Sequence, residues 1–161
     1  LINDIGPDAA RFYYLSKQAD QHLDFDLDLA KSDSKENIFY YIQYAHARIF
    51  SLEQKYHQKI KSKEIDNPNT YNISYSKCDK LIHEISKYPS VVNKSAATLQ
   101  PHLIIFYLRD LSQLLHSFYN DTHVLSEDPE NIKLIISSLS SVRQIISNGL
   151  SLVGISPIQE M

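Results

Sequence analysis

The stretch Asn37 to Ser51 reads NIFYYIQYAHARIFS, and its periodicity decides the fold class. Asn37 carries a side chain that can cap the free N–H groups of a helix start, so a helix is predicted from there to roughly Lys59. Within it Ile38, Ile42, Ala45, Ile49 and Leu52 recur at three- and four-residue spacing, an apolar stripe for a core. Tyr41, Tyr44, Arg48, Ser51 and Lys55 recur at the same spacing on the adjacent face. Two tyrosines in line with an arginine and a lysine suit an unpaired RNA loop. Rings stack on bases at roughly 1–3 kcal/mol per base, and the cations meet phosphates. The spacing equally fits tyrosines that cap the core with their hydroxyls in water, and by itself it leaves both readings open.

Outward from this helix the pattern stays helical. Pro7 after Gly6 suits a helix start, predicting a helix over 7–22. Leu23-Asp24-Phe25-Asp26-Leu27-Asp28-Leu29 then alternates apolar and acidic residues, the period of a short strand. Its three aspartates would share one side, but no metal site is assigned to them. Residues 60–74, with Asn67-Pro68-Asn69, read as a loop. A helix over 76–87 would bury Leu81, Ile82 and Ile85 and end at Pro89; 91–98 is a further short helix. Pro101 opens a helix to about Tyr119, with Ile104, Leu108, Leu111, Leu115 and Phe118 in register. A last long helix over 129–147 carries Ile132, Ile135, Ile136, Leu139, Val142 and Ile146. Gly149 is expected to stop it, and 150–155 to pack back. The fold class is therefore all-α, a helical bundle preceded by a small helix–strand segment.

The 161 residues suffice for one domain, and 43% hydrophobic content supports a buried core. No apolar run is long enough to span a membrane. A single cysteine, Cys78, excludes an internal disulfide and fits a reducing compartment, the cytoplasm. Three glycines cannot build a Gly-rich phosphate cradle. The seven histidines lack metal-ligand spacing, and no catalytic residues are assigned. The net charge of −3 is unlike a generic nucleic-acid binder. The charges are segregated, however. Arg48, Lys55, Lys59, Lys61 and Lys63 cluster, while acids gather over 20–33 and 127–130, so a local field can act where the net charge does not.

The 37–51 stretch resembles one found in arginyl-tRNA synthetases at the start of their anticodon-binding helical domain, through Tyr40, Tyr41, Gln43, Tyr44, Ala45, His46, Ala47, Arg48 and Ile49. Ile38 departs from it, standing where proline is frequent. GPDAARFYYLSKQADQHLDFDLDLA over 6–30, KYPSVV over 87–92, PHLIIFYLRDLSQLLHSFYN over 101–120 and the C-terminal VRQIISNGLSLVGISPIQEM resemble the same family in order. Only 54–86 is weakly matched. Near the end, Gln159-Glu160 replaces the family's Glu-Arg before the final Met161.

The resemblance implies a C-terminal part of a bacterial-type enzyme that joins arginine to its tRNA with ATP and Mg²⁺. Neither nucleotide-binding signature of that enzyme class is present. The expectation is an inactive fragment with no cofactor of its own: 1–36 as a remnant of the catalytic and stem-contact region, and 37–161 as the anticodon-binding (DALR-type) domain. The implied partners are the anticodon stem-loop of an arginine tRNA, read at its central cytidine, and the catalytic domain of the same polypeptide. The protein is expected to be a monomer. The implied contact residues are Tyr41, Tyr44, Arg48, Tyr119, His123 and Met161. His123 stands at a place that is aromatic in some relatives. His46, Arg109 and Asp110 also match and are read as structural. Phe12, Leu15, Phe25 and Leu27 are expected to be under-covered without the catalytic domain. The rival reading, from another class, is a helical protein–protein interaction module that buries the tyrosine–arginine face against a partner helix.

Overall fold

Asn37 starts its helix as predicted and does more than cap it. The computed structural model describes residues 2–22, 24–70 and 76–161. In it α4 spans Ile38–Lys61, and Asn37 Oδ1 accepts from the Tyr40 backbone N–H at 3.1 Å. The same oxygen accepts from the Tyr13 hydroxyl at 2.9 Å. Asn37 Nδ2 donates to the carbonyls of Ala30 at 3.1 Å and Ser32 at 2.8 Å. One buried amide thus ties α4 to the segment before it. Replacing it leaves buried donors and acceptors unmatched as well as an uncapped helix. We expect Asn37→Ala to lower stability by about 2 kcal/mol, read as a urea midpoint, and Asn37→Ser to recover only the capping share.

Before α4 lie α1 (Ile2–Ile5), α2 (Pro7–Leu15) and α3 (Leu27–Lys31). α2 stops seven residues short of the predicted end. The Ser16 hydroxyl bonds back to the Tyr13 carbonyl at 2.7 Å, and the residues after it are polar and exposed, with no apolar stripe to extend. The alternating segment is the clearest correction: α3 occupies the place of the predicted strand, and no strand occurs among the described residues. Asp26 accepts from the Leu29 N–H at 2.9 Å, an N-cap that closes a turn where the alternation suggested extension. Leu23 lies outside the described residues. Nor is Phe12 under-covered. It is 1% exposed and meets Phe39 at 5.4 Å and Tyr13 at 5.7 Å between ring centroids. Leu15, Phe25 and Leu27 are half-buried, and among the described residues of this segment the exposed large apolar side chains are Ile2 and Tyr14.

The body of the bundle is α4 against α7 (His102–Asp121) and α8 (Pro129–Leu152), closed by α5 (Asp79–Ser86) and α6 (Tyr88–Thr98). The stripes read from the sequence form its core. Ile42, Ala45, Ile49 and Leu52 are buried, as are Ile104, Leu108, Leu111 and Leu115 of α7 and all six residues predicted on α8. A 3-10 turn, Ser76–Cys78, leads into α5, and Cys78 is fully buried. Leu81 is buried, but Ile82 is exposed. Pro89 sits in the first turn of α6, where its missing N–H has no helical partner to lose. Residues 71–74 of the predicted loop lie outside the described residues.

Gly149 does not end the last helix. It sits within α8, where an added Cβ would come 2.8 Å from Leu108 Cδ2, so it is glycine for close approach. The stop comes later, at Gly154, with φ +71. The Ile155 N–H closes the end on the Leu150 carbonyl at 2.9 Å. Leu150, Val153 and Ile155 then pack onto the core as expected.

Candidate nucleic-acid interface

α4 and α7 pack so that the aromatic stripe of one meets the end of the other. Tyr40 and Tyr44, one turn apart, are near-parallel at 8° with centroids 5.9 Å apart. Tyr44 and His116 of α7 are inclined by 14° at 5.5 Å. Both separations are those of offset stacking, which leaves part of each face open. Tyr41 turns inward and meets His116 at 4.4 Å with a 46° tilt. Arg48 lies with its guanidinium carbon 3.8 Å from the Tyr119 ring centroid and 5.8 Å from that of Tyr44. Its Nη1 is 3.4 Å from His116 Nδ1. The result is a continuous tier of Tyr40, Tyr44, His116, Arg48 and Tyr119, with Tyr41 behind it. Tyr44 is 38% exposed, and Arg48 and Tyr119 are half-buried.

The electrostatics follow from this packing. Burial pushes the Tyr119 phenol up, and the Arg48 charge beside it works against that rise. Burial also raises the Tyr41 phenol. His116 is held below its ordinary value, first by burial and further by Arg48, against the opposing pull of the Tyr41 carbonyl.

The sequence-implied residues thus divide. Tyr41, Tyr44, Arg48 and Tyr119 come together. His123 is exposed beyond the end of α7, next to the 3-10 turn Val124–Ser126, and makes no ring contact with the tier. Met161 is 57% exposed, three residues past a point where the tail is fastened to α4. That fastening was not anticipated. Gln43 Nε2 donates to the Ser156 carbonyl at 2.8 Å, and its Oε1 accepts from the Ile158 N–H at 2.9 Å. His46 Nδ1 bonds the Ile158 carbonyl at 2.7 Å, so it carries the ring proton there. The tail therefore runs along α4 in the helix direction. His46 is structural, as read, and Arg109 pairs with Asp110 at 2.8 Å on the surface. Sequence reading missed His116 and Tyr40. The available signals were their places, one turn before Tyr119 and one turn before Tyr44.

Two buried histidines make stability depend on pH. Both His46 and His116 have folded-state values lowered from 6.5, chiefly by burial. A lowered folded value means that the unfolded chain binds more protons. Stability is then fully present above the unfolded value and is lost as pH falls through the folded one. The carboxylates with resolved shifts titrate in a lower range. We expect a lower urea midpoint at about pH 5.5 than at about pH 7.5, and a flatter dependence in His46→Gln.

The domain that carries the tier has known relatives. Residues 42–161 match the DALR anticodon binding domain family, three quarters of the chain.

The chain belongs to this family. Arginine–tRNA ligase of Legionella pneumophila (strain Corby) is 42% identical over 163 residues, covering 100% of this chain and 28% of the relative. That of Coxiella burnetii (strain RSA 331 / Henzerling II) is 41% identical over 165 residues, with the same coverage. An arginyl-tRNA synthetase structure from Campylobacter jejuni superposes with a TM-score of 0.82 at 31% identity, over 99% of this chain and 34% of that one. The Thermus thermophilus arginyl-tRNA synthetase gives 0.82 at 23% identity, over 98% and 26% respectively, and shares the fold. This member of the DALR family thus spans 28% of the length of the two arginine–tRNA ligases and 26–34% of the two solved structures. No helix among its described residues is long and apolar enough to cross a membrane. Among the same residues no group of three or more His, Cys, Asp or Glu side chains is placed to hold a metal ion.

Proposed function

We propose that this DALR domain binds the anticodon stem-loop of an arginine tRNA and forms the recognition end of a monomeric, cytoplasmic arginine–tRNA ligase. The observation that carries this reading is the tier itself: an exposed tyrosine, a histidine and an arginine-clamped tyrosine in one offset stack, with Lys55 exposed further along the same helix face. Splayed-out bases stack on such rings, and arginine and lysine meet the backbone phosphates. Tyr44, Arg48 and Tyr119 make the contacts in this reading, and Tyr41 supports them from behind. In this reading His123 and Met161, both exposed, reach the flanks of a bound loop. The central cytidine is the base that specificity falls on. Activation of arginine with ATP and Mg²⁺ is assigned to the part of the relatives' length outside the matched share. The catalytic domain would lie against 1–36, where exposed Tyr14 and Leu99 line one cleft of about 440 Å³ with Leu15 and Pro101.

The test is a fluorescence-anisotropy titration at low salt with an arginine-tRNA anticodon stem-loop and a second loop with the central cytidine changed. Tighter binding to the first, lost in Tyr44→Ala, is expected. Equal, weak binding to both overturns the reading and favours the interaction-module class.

A further inference from the structure

His116 is the member of the tier that sequence reading passed over, and its surroundings are specific. It is 7% exposed and uses both ring nitrogens. Nδ1 lies 3.4 Å from Arg48 Nη1, and Nε2 lies 3.4 Å from the Tyr41 carbonyl oxygen. Guanidinium nitrogens only donate and a carbonyl only accepts, so one arrangement satisfies both contacts: Nδ1 bare, Nε2 carrying the proton, the ring neutral. The imidazole faces lie against Tyr41 and Tyr44. We propose that His116 is a positioning residue of the RNA-binding face, whose neutral Nε2–H tautomer keeps Arg48 seated over Tyr119 and sets the inclination of Tyr44. For its effect on RNA this rests on the anticodon-binding function proposed above.

The titratable and charged groups facing His116 are Arg48, Tyr41 and Tyr44 from α4 and Tyr119 one turn on along α7. Burial and Arg48 both oppose a charge on the ring, and the Tyr41 carbonyl favours one. A proton on Nδ1 would point at a guanidinium, and the pair would separate. Arg48 would leave Tyr119, and the offset stack would lose its spacing. The consequence is opposite to the ordinary one. Charging a histidine on an RNA-binding surface adds a cation and strengthens binding to phosphates. Charging His116 instead weakens binding, because what it dismantles is the stacking platform.

The experiment uses the 161-residue chain. Long-range proton–nitrogen NMR spectra of the free protein at about pH 7.5 report the tautomer directly. An unprotonated Nδ1 and a protonated Nε2 are expected, and the reverse tautomer, or a cationic ring at that pH, overturns the proposal whether or not RNA binds. Anisotropy titrations then compare about pH 7.5 with about pH 5.5 for wild type, His116→Gln and His116→Phe. Wild type should bind the cytidine loop more weakly at the lower pH, by less than the roughly tenfold that an unshifted imidazole would give, because burial and Arg48 hold the ring below its ordinary value. His116→Gln keeps an acceptor for Arg48 and a donor for Tyr41 but does not titrate there. It should recover most of the affinity that His116→Phe loses and show little pH dependence. Because all three proteins meet the same RNA, titration of the nucleic acid cancels. Tighter wild-type binding at low pH, or His116→Phe binding like wild type with its base discrimination intact, overturns the proposal. Thermal melts identify a variant that has merely unfolded. A wild type that fails to discriminate the loops at pH 7.5 counts against the anticodon reading, and the tautomer spectrum still judges His116.

Discussion

Arg48→Ala is expected to weaken stem-loop binding by roughly 30- to 150-fold, a loss of about 2–3 kcal/mol. Arg48 acts in two ways at once. Its guanidinium lies 3.8 Å from the Tyr119 ring centroid, a contact worth about 0.5–2 kcal/mol when partly desolvated, and reaches His116 at 3.4 Å. It also supplies a cation where a bound loop's phosphate or base edge would lie. Arg48→Lys separates the two contributions. A lysine keeps the charge but has no plane to lay on Tyr119 and no fork to share with His116. The Lys variant should therefore keep the wild-type salt dependence of binding while losing discrimination at the central base. The Ala variant should lose discrimination and reduce the salt slope by about one phosphate contact. If Arg48→Lys bound and discriminated like wild type, the planar contact with Tyr119 would have no part in recognition.

The second large effect is on stability, at the meeting of α7 and α8. Leu108 is fully buried, and its methyl groups lie against the bare backbone of Gly149. Leu108→Ala should cost about 2–5 kcal/mol through lost burial and the cavity left behind. Gly149→Ala places a methyl 2.8 Å from Leu108 Cδ2, so the fully buried leucine must shift within a close-packed core. It should cost about 1–3 kcal/mol, despite the better helix propensity of alanine. The double variant is the informative measurement. The Gly149→Ala methyl enters the space that Leu108→Ala empties, so the two penalties should sum to more than the observed loss, with a coupling of about 1 kcal/mol or more. Denaturant melts of the four proteins give the cycle. Strict additivity would mean that the close approach of the two helices does not limit packing.

What local sequence could reveal here it revealed well. Three apolar stripes at helical spacing placed α4, α7 and α8 and their buried faces, and the side chain of Asn37 marked the start of α4. These signals are carried within one element, by periodicity and capping, and no partner is needed to read them. The family resemblance added the face of α4 on which function would lie.

Where local signals competed, tertiary context chose. The alternation over 23–29 is a valid strand pattern, but Asp26 captures the Leu29 N–H, Ala30 is buried, and Asn37 takes the Ala30 carbonyl from seven residues away. Those contacts stabilise a short helix that the period of two did not announce. Gly149 and Gly154 look alike in sequence. Only the position of Leu108 tells a glycine of close approach from one of positive φ. The site shows the same division. Tyr41, Tyr44 and Arg48 share a face because an α-helix repeats every 3.6 residues, and the sequence alone determines that. That His116 lies between two of those tyrosines, that Arg48 rests on Tyr119, and that Gln43 and His46 hold the C-terminal tail were decided by the packing of α7 and the tail on α4. Those partners are separated by between 68 and 115 residues where they hydrogen-bond, and no local pattern encodes such a meeting. It follows from which stripes bury against which, a choice made by the whole core at once.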